Sequence, residues 1–284
     1  MCIRDRLNTY CISNHFVDIE LTEPSSGING IDCIYVINLA ERPQRWERVK
    51  SICEPHHLHP NRVNAVNGWE LSSESLRELT QIPHNLKKGA IGCLLSHLSI
   101  LQHALENEFE CIWVMEDDIV ILDNPHEISF LLNQLSEIDP EWDIFYTDIR
   151  NCFTINGKYT RQPIKQNNYI SDNLLKVESR FGNYSVIISK NGIKKILNYF
   201  SSKKFSDPID IDIHFIPNLK KYSSSWNIIS WLFELCSDTE NSPVQSIENK
   251  HENPKKIYNK TSSVQKLIFD SFNKHFPILN FDKK

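Results

Sequence analysis

Cys111-Ile112-Trp113-Val114-Met115-Glu116-Asp117-Asp118-Ile119-Val120-Ile121 is the stretch on which the reading of this chain turns. An apolar run long enough for a buried strand stops at three consecutive carboxylates, and apolar residues resume at once. Burying one unpaired carboxylate is costly, and adjacent like charges raise each other's pKa. The three acids therefore need a compensating cation or a solvated strand end. In an open α/β sheet, ligands collect just past the carboxyl ends of the strands. A hard divalent ion such as Mg²⁺ or Mn²⁺, held by one or two carboxylates plus a phosphate, suits that position. The competing reading is a strand running into a helix whose first turn favours acids. Ile119, Val120 and Ile121 count against it, because the chain continues apolar.

Length and composition set the bounds. A chain of 284 residues allows one large domain or two small ones and can bury a sizeable core. Hydrophobic content of 40% and charged content of 24% are ordinary for a soluble globular protein. The net charge of −5 argues against a general nucleic-acid binder, although local basic patches stay open. With only 8 glycines the chain has no glycine-rich phosphate loop. None of the 8 cysteines forms a Cys-x-x-Cys pair, and Cys33 and Cys111 lie inside apolar runs. That is the distribution of reduced, buried thiols, so neither a disulfide framework nor a zinc site is expected. No apolar run approaches the ~18 residues of a membrane span, and no signal-peptide core precedes the first strand. The expectation is a cytosolic protein, with peripheral contact to the inner membrane allowed.

Working outward from the acidic centre, Ile31 to Leu39 reads as a central strand, apolar on both faces apart from Asp32 and Asn38. Pro43 suits the first turn of a helix reaching about Cys53. Arg42 and Arg45 would then sit at a strand tip and a helix start, where free N–H groups and guanidinium forks can hold a diphosphate or a base and ribose. A solvated helix face explains them equally well, since Arg48 and Lys50 continue the charge. Arg62 to Val66 reads as a second strand ending in the turn signal Asn67-Gly68, and Ser72 or Ser73 caps a short helix through Leu79. From Lys87 onward, Ile91, Leu94, Leu95, Leu98, Leu101 and Leu105 form a helical core stripe, with Gly89, Gly92, Ser96, Ser99 and His103 opposite. Two glycines early in a helix cost roughly 1 kcal/mol each relative to alanine, which makes sense if something approaches the backbone closely. His97 lies beside the stripe and is open between a buried structural histidine and a ligand or base.

Downstream, Pro125 to Glu137 reads as a helix and Trp142 to Asp148 as a strand, while Asn151 to Asn173 is polar and irregular. Phe181 to Ile188 is a strand, after which Ser189 caps a helix from Lys190 to Phe200. In Ser206 to His214, strand alternation would put Asp210, Asp212 and His214 on one side. Ser225 to Cys236 is a last apolar segment, and Val264 to Phe276 reads as an amphipathic helix. Alternating strands and helices in the first half imply an α/β layer with a largely parallel sheet. The expected organisation is a poorly ordered or artefactual segment over 1–30, one domain over 31–236, and a loop with a terminal helix over 237–284.

These residues resemble glycosyltransferase family 25, which includes bacterial lipooligosaccharide galactosyltransferases and relatives of the collagen galactosyltransferases. The resemblance is carried by Ile34-Tyr35-Val36-Ile37-Asn38-Leu39 with Arg42, Pro43 and Arg45, then Asn64-Ala65-Val66-Asn67-Gly68. Gly89 with Gly92-Cys93-Leu94-Leu95-Ser96-His97 and then Glu116-Asp117-Asp118 follow in the family's order. Gly182-Asn183-Tyr184 and Pro208-Ile209-Asp210 are looser matches. Asn67 stands where many members carry aspartate.

The resemblance implies a GT-A-like nucleotide-sugar-binding fold and a metal-assisted transfer of a hexose, galactose first, from a UDP-sugar to a saccharide or glycolipid acceptor, in cell-surface glycan or lipooligosaccharide synthesis. It implies that Glu116 and Asp118 hold Mn²⁺ or Mg²⁺. Donor contacts are implied at Asn38, Leu39, Arg42, Arg45, Asn67, Gly68, Gly89, Gly92 and Ser96. Asp117 would contact ribose or the donor sugar, and His97 stands with it as a further catalytic candidate. Asp210 is the first choice of base for the acceptor hydroxyl, with Asp143 and Asp148 behind it. Two readings of other classes remain: a sugar-nucleotide-binding protein without turnover, and a metal-dependent phosphoryl-transfer enzyme.

Overall fold

The structure is a computed structural model that describes residues 12–23, 25–81, 86–149, 168–178 and 180–232, and the backbone of 152–155 and 158–161. In chain order the strands are β1 (Cys33–Asn38), β2 (Pro60–Asn64), β3 (Cys111–Glu116), β4 (Ile119–Ile121), β5 (Ile144–Tyr146), β6 (Cys152–Ile155), β7 (Lys158–Arg161), β8 (Leu174–Lys176), β9 (Ser185–Ser189), β10 (Lys221–Ser224) and β11 (Ile229–Trp231). The helices are α1 (Pro43–Cys53), α2 (Ser73–Leu79), α3 (Lys88–Glu106), α4 (Glu127–Ile138), α5 (Lys190–Ser201) and the single turn α6 (Ile209–Asp212).

Seven strands form one sheet in the order β2-β1-β3-β9-β5-β10-β8. β2, β1, β3, β5 and β10 run one way, and β9 and β8 run the other. The sheet is therefore mixed but mostly parallel, with helices on its faces, as the alternation of elements implied. Alternate residues of β3 explain the two core layers. Ile112 and Val114 face α3 and α5, while Cys111, Trp113 and Met115 face α1 and α4. A strand buried on both faces must be apolar throughout, which is why 111–115 carries no polar residue.

Several local expectations hold. Pro43 opens α1, the Ser72 side chain accepts from Ser75 N, and the Ser189 side chain accepts from Gly192 N. Others are corrected. The segment 12–23 is part of the fold: Ile12, Phe16, Val17, Ile19 and Leu21 pack on the core, and Asn61 Oδ1 receives the backbone N–H groups of Thr22 and Glu23 at 2.8 Å. Ile28 and Ser26 are buried as well, so the described residues between 12 and 30 belong to the fold and not to a poorly ordered segment, and residues 1–11 of that expectation lie outside the described residues. The irregular stretch after Asn151 contains the antiparallel hairpin β6–β7. Asp210 and Asp212 lie on the helical turn α6, not on a strand. The expected helix over 264–276, and everything after Leu232, lies outside the described residues.

The close backbone approach expected at α3 comes from the chain itself. A Cβ on Gly92 would lie 2.4 Å from Val66 O and 2.5 Å from Gly68 N, and one on Gly68 would lie 1.8 Å from Lys88 O. Ser96 Oγ donates to Gly92 O at 2.7 Å and accepts from Val66 N at 2.8 Å. The turn after β2 is thereby fastened to the first turns of α3, backbone against backbone. Gly92→Ala should accordingly cost about 1–3 kcal/mol of stability, since the obstructing atoms are main chain and cannot rotate away. Urea unfolding would measure it, and an unchanged midpoint would show that this junction is loose.

Candidate active site

β1, β2 and β3 end side by side, and their carboxyl ends open on a cleft with about 600 Å³ of open space. Leu39 and Arg45 wall it on one side, Asn67, Gly68, Trp69 and Gly89 on another, and Glu116, Asp117 and Asp118 form its floor. The sequence therefore brings together most of the residues implied as a donor site, and it does so where an α/β sheet collects ligands.

The three carboxylates meet different fates. Asp117 is 7% exposed; its Oδ2 accepts from Asn38 Nδ2 at 2.7 Å and its Oδ1 from Arg45 Nη1 at 3.0 Å. Arg48 donates to Asp117 O at 2.8 Å and to Ile119 O at 2.7 Å, fixing the turn between β3 and β4. Arg48 looked like a continuation of a solvated charged face, and its structural part in the site was missed. Its register on α1, one turn below Arg45, was the available signal.

Glu116 and Asp118 are left without a cation of comparable closeness. Burial, then the charges of Asp118, Asp117 and Asp210, push the Glu116 carboxyl well above the ordinary range. Burial and Asp117 push Asp118 up to about 6, against the pull of Arg45 and Arg48. Asp118 Oδ1 is buried and has no hydrogen-bond partner. An unpartnered buried carboxylate oxygen beside a second half-buried carboxylate is the donor set of a hard divalent cation, so these residues fit Mg²⁺ or Mn²⁺. A softer group, Cys93, His97 and Glu116, has its ligand atoms within 4.8 Å of one another. It fits a metal poorly: His97 Nδ1 bonds Cys93 O at 2.9 Å, and burial and the neighbouring acids hold the Cys93 thiol protonated.

The remaining predicted residues divide. Asn38 is buried and acts as a hub, donating to Asp117 and to Arg42 O while accepting from Arg62 Nε. Arg42 is 3% exposed and sits at the N-terminus of α1, away from the cleft wall. Gly92 and Ser96 are used by the junction with the Val66–Gly68 turn and do not line the cleft. His97 is buried under Cys93 and Glu116, with burial lowering its pKa, which favours the structural alternative. Asp210 accepts from Gly182 N at 2.8 Å, and its charge is felt by Glu116 and Cys93, so it belongs to the same acidic centre.

The two reserve bases are corrected. Asp143 precedes β5, at the opposite end of the sheet, where it takes Lys195 Nζ at 2.6 Å and Lys220 N at 2.8 Å. Asp148 follows β5 at the correct end but is fully engaged by Arg180 Nη1 at 2.5 Å and by the Tyr184 hydroxyl. Asp212 is paired with Lys203, and His214 bonds the Arg180 backbone and Lys221. The Asp210–Asp212–His214 face expected from alternation is thus not formed.

The Asp118 shift has a direction that can be measured. A carboxyl held near 6 when folded, against 3.8 ordinarily, stabilises the fold fully below pH 3.8 and loses that contribution as pH rises through 6. Asp118→Asn lacks this loss. The melting temperature of the metal-free variant should therefore pull ahead of wild type as pH rises from about 4 to about 7, and Mn²⁺ should close the gap by stabilising wild type. A gap independent of pH would mean that Asp118 is neutralised within the protein.

Comparison with known proteins agrees with this geometry. Residues 31–214 match Glycosyltransferase family 25 (LPS biosynthesis protein). "Inactive glycosyltransferase 25 family member 3" of Homo sapiens is 32% identical over 128 residues, 41% of this chain and 22% of that protein. "Procollagen galactosyltransferase 2" of Homo sapiens is 24% identical over 69% of this chain and 33% of that protein. "Glycosyltransferase 25 family member" of Drosophila melanogaster is 23% identical over 87% of this chain and 43% of that protein. The chain thus spans less than half the length of these curated relatives. A match over 184 residues (31 through 214) of 284, containing every wall and floor residue of the cleft, places the chain in glycosyltransferase family 25.

Proposed function

We propose that this chain moves a hexose, galactose first, from a UDP-sugar to a saccharide or glycolipid acceptor. The observation that carries the reading is the cleft itself: Glu116 and Asp118 under-neutralised on the floor, with a rigid polar and aromatic wall facing them. The nucleotide would lie between Leu39, Arg45 and the Asn67–Trp69 turn, with its diphosphate over the floor. Glu116 and Asp118 would hold a divalent cation, which supplies Lewis-acid stabilisation to the leaving diphosphate. Asp210 would take the proton of the acceptor hydroxyl as that oxygen attacks the anomeric carbon. The family's description, LPS biosynthesis protein, supports a saccharide or glycolipid acceptor in surface-glycan synthesis, and the relative named a procollagen galactosyltransferase supports galactose as the sugar moved. A cytosolic location with peripheral membrane contact belongs to the same proposal.

A second reading has one observation in its favour, the likeness to a relative named inactive. On it, the chain binds a sugar nucleotide without turning it over. The family match leaves phosphoryl transfer without support. Incubation with UDP-galactose, Mn²⁺ and a saccharide panel separates the two, because transferase activity or UDP release marks an enzyme. Tight UDP binding without release marks the second reading.

Asp210→Asn tests the proposed base. Asparagine keeps an oxygen for Gly182 N, so the fold should survive. Turnover should fall at least about a hundredfold, the usual share of a general base, while UDP affinity stays near wild type. Collapse of UDP affinity would move Asp210 into the cation's shell, and wild-type turnover would remove it from the chemistry.

A further inference from the structure

Among the described residues that line the cleft, Trp69 is the one aromatic. It is half-buried, and among the described residues neither core layer includes it, although Ala65 and Val66 beside it pack on the core. An indole that fills no core and stays part-open in a cleft with an acidic floor is apolar surface kept for a ligand. Its backbone is well fixed. Trp69 N donates to Asn67 Oδ1 at 3.2 Å, Leu71 N donates to Gly68 O at 3.4 Å, and Gly68 lies against Lys88 and Gly92 of α3.

The order of the sheet gives this residue a place along the cleft. β2 is an edge strand, followed inward by β1, β3 and β9. Trp69 stands on the turn after β2, Leu39 follows β1, and the three acids follow β3. Tyr184, just before β9, takes the Glu116 N–H at 2.8 Å, and Gly182 N donates to Asp210 Oδ2 at 2.8 Å. Crossing from the edge inward therefore meets an aromatic and apolar wall, then the acidic floor, then Asp210. A sugar nucleotide has the same linear order: a flat base, a diphosphate, and the sugar that reacts. With the diphosphate over Glu116 and Asp118 and the reacting carbon toward Asp210, the base is left with the β2 side.

Resting on the donor reading above, we infer that Trp69 is the platform on which the donor's nucleobase stacks, and that this contact holds the nucleoside half independently of the cation. Every base offers a π face, and stacking on an aromatic side chain is among the stronger contacts a base can make. The neighbouring Asn67 is poorly placed to take over: its Nδ2 is committed to Glu41 and Glu70 and its Oδ1 to Trp69 N.

The test uses the full chain and three probes by calorimetry: UDP with Mn²⁺, UMP without metal, and inorganic diphosphate with Mn²⁺. Trp69→Ala should weaken UDP and UMP alike, by about tenfold or more, the usual worth of a stacked base. Diphosphate affinity should stay at the wild-type value, and Trp69→Phe should restore most of the UDP and UMP binding. Wild-type UDP affinity in Trp69→Ala would overturn the inference. So would a parallel loss of diphosphate, which would make Trp69 a support of the floor. A loss seen with UDP-galactose but not with UDP would hand the ring to the sugar and overturn it as well. Should Trp69→Ala fail to fold, Trp69→Leu must show the same split between nucleotide and diphosphate. Failure of wild type to bind UDP would instead remove the donor reading, and this inference with it.

Discussion

Three adjacent carboxylates at the end of a fully buried strand are the constraint around which this molecule is built. The chain spends its nearby cations unevenly. Arg45 and Asn38 hold the Asp117 carboxylate, and Arg48 holds the backbone on either side of Asp118. Glu116 and Asp118 keep elevated pKa values. Had Arg48 met the Asp118 side chain instead of the main chain, the turn would be neutral and inert. Fixing the backbone with a guanidinium while leaving the side chain unpaired holds a charged site in place without filling it. Such strain is tolerated where function requires it and is supported by the surrounding core.

A second constraint is steric. Gly68 and Gly92 let the turn after β2 lie directly on α3, and Ser96 bonds both sides of that junction. Residues that resemble ligand contacts by motif are in this way builders of the wall. Their effect reaches the cleft through Asn67 and Trp69. Asn67 accepts from Trp69 N and donates to Glu41 and Glu70, so the aromatic residue stands on a turn held at both ends. A wall residue held by backbone contacts loses little further entropy when a ligand arrives.

The legible and illegible parts of the sequence differ for physical reasons. β1, β3, α1 and α3 were readable because buried strands and helices leave distinct apolar periods, although α3 also buries Gly89, Gly92, Ser96 and Ser99 opposite its apolar stripe, and because Pro43, Ser72 and Ser189 mark helix starts chemically. The reversal of β9 left no trace, since a strand buried on both faces is apolar in either direction. The Asp-Ile-Asp-Ile run misled because four residues satisfy a period of two without excluding a helical turn; Pro208 before it was the better signal. Arg48 and Arg42 were hidden by their neighbours, because a charge run looks solvated until the packing of the helix is known. Within the site, the acidic floor was legible from local sequence. The hub at Asn38 depends on a contact 79 residues away, from Asn38 to Asp117.

Strand direction decides which acid can serve the chemistry. Asp143 and Asp148 bracket β5 and look equivalent in sequence, but β5 runs parallel to β3, so only Asp148 shares an end with Glu116. There the Arg180 guanidinium lies 4.1 Å from the Tyr146 ring centre and neutralises Asp148, while the Tyr184 hydroxyl takes its second oxygen. With one oxygen on the guanidinium and the other on the phenol, the Asp148 carboxylate is already occupied at both ends. It is, however, a good anchor: Arg180 leads into Gly182 and Asn183, and Tyr184 meets the Glu116 amide. Asp148 therefore holds the segment from Arg180 to Tyr184 against the acidic floor. Asp210, on a helical turn that meets Gly182, stands within the electrostatic reach of Glu116 from the other side. The three acids that the sequence offered as bases, Asp210 ahead of Asp143 and Asp148, are thus a group facing the floor, an anchor for α5, and an anchor for the segment from Arg180 to Tyr184.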